Sequence, residues 1–223
     1  MTPECERRLV SGLAQLGIDA DAQAHDRLLA LLALLHKWNR AYNLTAVRSA
    51  EEMVTRHLLD SASVLPLVHG PRLLDVGSGP GLPGLVLAIL DPQLAVTLLD
   101  SNGKKVRFQR QAVLELGLGN VTPVQARVEA YRVEAPFEQI ISRAFASLTD
   151  FVALTEPLLA DDGEWLAMKG RAAEQESLAL PDSIMLIERR ELHVPGDEAS
   201  RQLLRLRRAG KTILTGSREG SRS

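Results

Sequence analysis

A chain of 223 residues with 45% hydrophobic and 24% charged side chains has the composition of an ordinary globular protein, long enough for one large domain or one domain with an extension. A single cysteine, Cys5, excludes a disulfide framework and a cysteine-rich metal site, and the five histidines show no metal-ligand spacing. The net charge of −2 argues against a protein that binds nucleic acid by charge alone, and the longest strongly apolar run, Leu28 to Leu35, is far short of the ~20 residues of a membrane span.

The opening Met1-Thr2-Pro3-Glu4 lacks the basic segment and apolar stretch of a secretion signal, so a cytoplasmic protein is expected. Residues 4–65 read as helical. Between Asp21 and Tyr42, apolar residues recur at helix spacing through Leu28, Leu31, Leu32, Leu35 and Trp38. Ser49-Ala50-Glu51-Glu52 is a capping-box pattern ahead of a second apolar stripe through Met53, Leu58 and Leu65. From Arg72 onward strands and helices alternate. Strands are predicted at Leu73–Val76, Leu94–Leu99, Val121–Val124, Gln139–Ser142 and Trp165–Lys169. Helices are predicted at Gly84–Leu90, Lys104–Leu116, Leu148–Leu159 and Ala172–Ala179, with a helical turn near Arg127–Tyr131. Such alternation implies an α/β fold, a parallel sheet with helices on both faces. Two further strands, Ile184–Val194 and Gln202–Arg208, are separated only by Pro195 to Ser200. That loop is too short for a parallel crossover, so the pair should be an antiparallel C-terminal hairpin. The chain thus divides into an N-terminal helical extension (1–66), an α/β domain (67–215) and a tail (216–223) expected to be disordered.

Charge is uneven. Residues 201–223 carry seven basic groups against Glu219 alone. This suits either phosphate contact or the solvated charge that guards an edge strand.

The stretch from Leu73 to Gly84 carries the most chemistry. An apolar strand holding Asp75 breaks into Gly77, Gly79, Gly81 and Gly84, and a helix follows. Two frames overlap. Gly79-x-Gly81-x-x-Gly84, with Asp100 some twenty residues on, fits a dinucleotide fingerprint and a NAD-type oxidoreductase. Asp75-x-Gly77-x-Gly79-x-Gly81 puts an acid two residues before a G-x-G-x-G loop, the usual opening of S-adenosylmethionine (AdoMet) methyltransferases. An acid beside the loop suits a cationic ligand and would repel a pyrophosphate; Asp100 could bind ribose hydroxyls of either. A purely structural loop, packing strand against helix, is the blander third reading.

Further segments carry a resemblance. They are Trp38-Asn39-x-x-Tyr42-Asn43-Leu44-Thr45, Arg56-His57-Leu58-Leu59-Asp60-Ser61, the glycine loop, Leu99-Asp100-Ser101, Lys104-Lys105-Val106-Arg107-Phe108, Ala126-Arg127-Val128-Glu129 and Ile141-Ser142-Arg143-Ala144-Phe145-Ala146. In order and spacing, from about residue 25 to about 170, they resemble the bacterial small-subunit ribosomal RNA guanine-N7 methyltransferases, also called glucose-inhibited division protein B. Residues 174–223 match only loosely. The resemblance implies a Rossmann-like seven-stranded AdoMet methyltransferase sheet, AdoMet as co-substrate, no metal, and small-subunit ribosomal RNA as acceptor, presented within a ribosomal particle. A monomer is expected. A non-catalytic ribosome-binding factor on the same fold is the remaining alternative.

For the AdoMet site, the resemblance implies Gly77 and Leu82 along the methionine and sulfonium, Val128 and Glu129 beside the adenine, and Arg143 after the fourth strand. Gly79 and Gly81 belong to the same loop. Asp100 is expected on the ribose hydroxyls, and Asp75, on physical grounds, near the ligand's ammonium. No general base is expected, because N7 of guanine attacks with an in-plane lone pair and loses no proton; placement should do most of the work. Candidates for placing the guanine are Asn43, His57, Phe145 and Lys169. Each has an ordinary structural reading: Asn43 as a cap, Phe145 as core, His57 as a satisfied helix histidine. Lys104, Lys105, Arg107 and Arg110, with Arg40, Arg48, Arg56 and the C-terminal arginines, are the candidates for RNA phosphates.

Overall fold

The computed structural model describes residues 2–143, 145, 147–170 and 178–209. The first helix, α1 (Pro3–Gln15), is capped by the Thr2 hydroxyl, which accepts from Cys5 N. Helix α2 (Ala22–Tyr42) is capped by Asp21, whose carboxylate accepts from Ala24 N at 2.7 Å. It ends at Asn43, which takes the left-handed conformation (φ 51). The Ser49 hydroxyl accepts from Glu52 N and starts α3 (Ala50–Met53). That helix widens into a π-helical stretch, Val54–Leu59, and closes as α4 (Asp60–Ala62).

The alternating region follows as β1 (Arg72–Val76), α5 (Gly84–Leu90), β2 (Ala95–Asp100), α6 (Gly103–Leu116), β3 (Val121–Gln125), a 3-10 turn (Val128–Ala130), β4 (Phe137–Ser142), α7 (Leu148–Thr155), β5 (Leu159–Lys169), β6 (Ile184–Val194) and β7 (Asp197–Arg208). The seven strands lie in the order β3-β2-β1-β4-β5-β7-β6. The first five are parallel, and β7 runs antiparallel to both β5 and β6. The order in which strands are added reverses between β1 and β4, the switch point where ligands of open α/β sheets bind.

Three differences from the sequence reading bear on the site. The seventh helix stops at Thr155 rather than Leu159, because Pro157 cannot continue it; Glu156–Leu158 forms a 3-10 turn and Leu159 already opens β5. The hairpin loop shrinks from Pro195–Ser200 to Pro195-Gly196, since Val194 pairs with Asp197. Third, β7 is an internal strand, and β6 is the edge. The arginines of β7 are therefore not guards of an edge strand. The helix expected over 172–179 lies outside the described residues except for Leu178 and Ala179, which form a turn. The tail 216–223 lies outside them altogether.

Successive residues of β1 point to opposite faces. Leu74 and Val76 join Phe137, Phe151 and Trp165 in one core, whereas Leu73 joins a second core on the other face. That second core includes Leu9 and Leu13 of α1, Leu28, Leu31, Leu32 and Leu35 of α2, and Leu85 and Val86 of α5. The helical extension thus has no core of its own. The four α2 leucines alone, at 0–1% exposure, represent on the order of 6–12 kcal/mol of burial as an upper bound. A helix held that firmly is a wall of the domain. Among the described residues, no helix is long and apolar enough to cross a membrane, and no group of three or more His, Cys, Asp or Glu could hold a metal.

Candidate active site

The glycine loop leaves β1 with Gly77, Gly79 and Gly81 all at positive φ (67, 59 and 87), which a residue with a Cβ resists. The loop is bound on every side. Gly77 N and Ser78 N donate to Leu99 O at the end of β2 (2.8 and 3.2 Å). Gly79 N donates to Asp100 Oδ2 at 2.8 Å, and the other Asp100 oxygen accepts from Asn102 N at 2.8 Å. Gln109 of α6, fully buried, donates to Ser78 Oγ (3.0 Å) and Gly79 O (2.7 Å). Gln109 has no motif to announce it, and only the packing of α6 behind the loop brings it there.

Asp75 lies beneath this loop with no exposed surface. Its Oδ2 accepts from Gly84 N, the first N–H of α5, at 2.8 Å, while Oδ1 has no partner. Burial pushes the carboxyl up to about 7 despite the Gly84 bond and the nearby Arg143 charge, and Asp100 adds to the rise. Asp75 therefore takes the seat at the start of α5 where a dinucleotide fold would receive a pyrophosphate. The approach is close: a Cβ on Gly84 would fall 2.4 Å from Leu98 and 3.0 Å from Asp75 Oδ2. This geometry removes the ground for the NAD-type frame. It also alters the role expected of Asp75, which supports the loop from below and lines none of the cavities around it.

Three adjoining cavities open at this end of the sheet. The first, about 340 Å³, is walled by Gly77, Asp100, Ser101, Lys105, Val128 and Glu129 among others, with Phe145 at one side. The second, about 200 Å³, lies across Gly77 and is lined by Leu44, Thr45, His57, Gly79, Leu82 and Arg143. The third, about 250 Å³, shares Arg143 and adds Asp60, Met168, Lys169, Arg201 and Gln202. The expected AdoMet residues thus divide: Gly77, Asp100, Val128 and Glu129 on the first cavity, and Gly79, Leu82 and Arg143 on the second. Gly81 lines neither; it sits under the turn, where a Cβ would fall 2.6 Å from Leu85.

The four guanine-placing candidates are not brought together. Asn43 lines no cavity; it is the exposed cap of α2, and its Oδ1 accepts from Arg48 at 2.9 Å. Phe145 is in the first cavity, stacked at 5.2 Å on Phe151. Lys169 is in the third, donating from Nζ to Phe145 O at 2.7 Å. His57 is in the second, carried inward by the π-helical stretch. Its Nδ1 lies 2.9 Å from Arg56 O, which can only accept, so Nδ1 carries the proton and Nε2 accepts from the Thr45 hydroxyl at 2.8 Å. Burial, aided by the Arg143 charge, holds this imidazole down at about 4 and hence neutral. Thr45, which sequence reasoning passes over, reaches the second cavity together with Leu44. Asn39 fixes it there by accepting from Thr45 N (2.9 Å) and donating to Val47 O (2.8 Å).

The basic residues also sort differently. Lys105 lines the first cavity. Arg205 and Arg207 bond Glu164, Arg205 also bonds Glu188, and Arg208 caps the backbone at Leu159 and Ala160. Burial raises Glu164, and the two arginines more than reverse it. These arginines are committed to internal partners and are not a free phosphate track. Lys211, Arg218 and Arg222 lie outside the described residues.

Residues 24–204 match the family model GidB, rRNA small subunit methyltransferase G. The chain is 73% identical over 209 residues to a protein of Chromohalobacter salexigens named ribosomal RNA small subunit methyltransferase G, covering 94% of this chain and 100% of that one. A protein of the same name from Pseudomonas syringae is 52% identical over 208 residues, with coverage of 93% and 97%. Among solved structures, TrmN from Thermus thermophilus superposes with a TM-score of 0.55 at 22% identity, over 70% of this chain and 53% of that one. A SAM dependent methyltransferase from Aquifex aeolicus gives 0.55 at 17%, over 67% and 90%. At those identities the likeness is one of fold.

Proposed function

We propose a reaction for this chain, which belongs to the GidB family of ribosomal RNA small-subunit methyltransferases: transfer of a methyl group from AdoMet to N7 of one guanine in 16S ribosomal RNA. The observation that carries the donor assignment is the filled anion seat. With Asp75 on the α5 N-terminus, the loop has no N–H cluster left for a phosphate and presents a carboxylate beneath a ligand that is cationic. Asp100, at the end of β2 on the first cavity, keeps spare lone pairs for ribose hydroxyls after its two backbone bonds. Val128 and Glu129 would flank the adenine, and Gly77, Gly79, Leu82 and Arg143 the methionine end. When bound, AdoMet supplies an electrophilic methyl on a sulfonium.

The acceptor atom is argued from what the site can do. Methylation of a pyrimidine carbon needs a thiolate, and Cys5 is fully buried in α1 beside Thr2 and Glu51. Methylation of an exocyclic amine commonly uses an Asn/Asp-Pro-Pro-aromatic loop after the fourth strand, where this chain has Ser142-Arg143-Ala144-Phe145. Guanine N7 needs neither, and a neutral His57 fits a site that holds the base without removing a proton. The protein's contribution is then alignment of N7 with the methyl carbon. With a net charge of −2, shape must supply part of the recognition. This favours a ribosomal particle over naked RNA as acceptor, met in the cytoplasm by a single copy of the chain. The test is transfer from labelled AdoMet to small-subunit particles and to naked 16S RNA from cells lacking the gene. Mapping would use the strand cleavage that N7-methylguanine permits. Label on a pyrimidine, or on an exocyclic nitrogen, overturns the N7 assignment.

A further inference from the structure

The third cavity is left without a role by the donor site. It opens at the ends of β4 and β5 beyond Ser142 and Lys169, and its far wall is the β6–β7 hairpin through Leu192, Arg201 and Gln202. Its cations are not alone. Asp60, at 3% exposure, stands between two arginines, with Oδ2 3.1 Å from Arg143 Nη1 and Oδ1 accepting from Arg201 Nε at 3.1 Å. Arg201 also bonds Asp197 at 3.1 Å. Gln202 Oε1 is buried with no hydrogen-bond partner. The side walls are apolar: Met168 and Leu192 are 7% and 6% exposed.

A phosphate has only acceptor oxygens. It would meet the cations but would also face the Asp60 carboxylate, and would leave Gln202 Oε1 without a donor. Guanine has both kinds of group on its outer edge, N1–H and N2–H₂ as donors and O6 as acceptor. The cavity offers both in return: Gln202 Oε1 and the two unused lone pairs of Asp60 as acceptors, and Lys169 and the arginines as donors. Apolar walls suit the ring faces, and an unstacked base is commonly read in RNA along this edge. Arg143 borders both this cavity and the one beside Gly77 and Gly79, so a base held by its outer edge stands next to the donor with N7 uncommitted.

We infer that the cavity of Asp60, Arg143, Lys169, Arg201 and Gln202 is the acceptor-base pocket, in which Gln202 accepts from guanine N2–H₂ and Asp60 from N1–H, so that the two select guanine. This rests on the reading of the chain as a guanine-N7 methyltransferase. Inosine, which lacks N2–H₂ but keeps N7, O6 and N1–H, separates the two claims. Particles carrying guanosine or inosine at the methylated position would be compared as acceptors for the full-length protein, wild type and Gln202→Leu, with folding checked by thermal melting. Wild type should prefer guanosine by about fivefold to tenfold, the worth of one base-edge hydrogen bond. Gln202→Leu should lower kcat/KM for guanosine while leaving inosine almost unchanged, so the preference collapses. Gln202→Glu, which retains an acceptor, should restore it. Equal use of both bases by wild type, or an unchanged preference in Gln202→Leu, overturns the pocket assignment while the N7 reaction stands. Equal loss on both bases means that Gln202 does not read N2–H₂ and also overturns it. No transfer to guanosine by wild type defeats the reaction itself.

Discussion

Asp75→Asn isolates the buried carboxylate beneath the glycine loop. The asparagine Oδ1 can still accept from Gly84 N, so the variant removes the charge and keeps the bond. In the unfolded chain Asp75 ionises near its ordinary 3.8; in the fold, burial holds it up at about 7. Between those values the folded protein binds the proton that the unfolded chain has lost, so the carboxyl costs stability as pH rises through this window. Each pH unit is worth ~1.4 kcal/mol, and the whole interval about 4 kcal/mol. Urea unfolding of both proteins from pH 4 to 8.5 measures this, because titrations elsewhere cancel in the difference. Near pH 4 the two should be similar. By pH 8 the variant should be more stable by a few kcal/mol, with the gap opening between. A gap independent of pH refutes the account of Asp75 as an isolated, strained acid. Because Asp75 lines no cavity, AdoMet affinity should fall by less than about tenfold.

Asp100→Ala removes a cavity wall, the bond to Gly79 N that pins the loop and the bond to Asn102 N at the start of α6. At ~1.5–3 kcal/mol for one ribose contact to a charged group, calorimetry should show AdoMet binding weakened by about tenfold to a hundredfold, and unchanged affinity would remove Asp100 from the site. Gly84→Ala pushes a methyl into Leu98, at a cost of ~1–3 kcal/mol from overpacking, visible as a lower Tm. His57, held at about 4 against an ordinary 6.5 mainly by burial, contributes stability that is lost as pH falls from about 6.5 to about 4. His57→Asn should remove up to ~3 kcal/mol of acid sensitivity in that window, and identical acid unfolding of the two proteins would contradict a neutral, buried imidazole.

The strands and helices from Leu73 to Gln125 could be read from sequence because local signals agree there. Apolar runs end at glycine or asparagine, and Asn102 and Gly117 mark both ends of α6. The candidates in the glycine loop and at the end of β2 are legible for the same reason, since a loop and a strand end are local features. What escaped depends on distant partners. The basic C-terminal stretch looks like a free patch until β7 is seen beside buried Glu164. Asn43 looks like a site residue because its amide could hold a base edge, but the left-handed cap of α2 leaves it exposed while Leu44 and Thr45 reach the second cavity. Gln109 and Gln202 carry no pattern at all, and Asp60 stands in a family segment that assigns it no role; their places follow from tertiary packing.

The bond from Asp60 to Arg201 joins residues 141 positions apart, and it dates the site within the life of the chain. During synthesis the donor seat could assemble once the strands through Ser142 have emerged, but the cavity beside it lacks a wall until the final hairpin arrives. A truncated or unfinished chain could hold the methyl donor and still have no enclosure for a base. If the proposed base pocket holds, competence is gained last, when Asp60 and Arg201, 141 positions apart, close on each other.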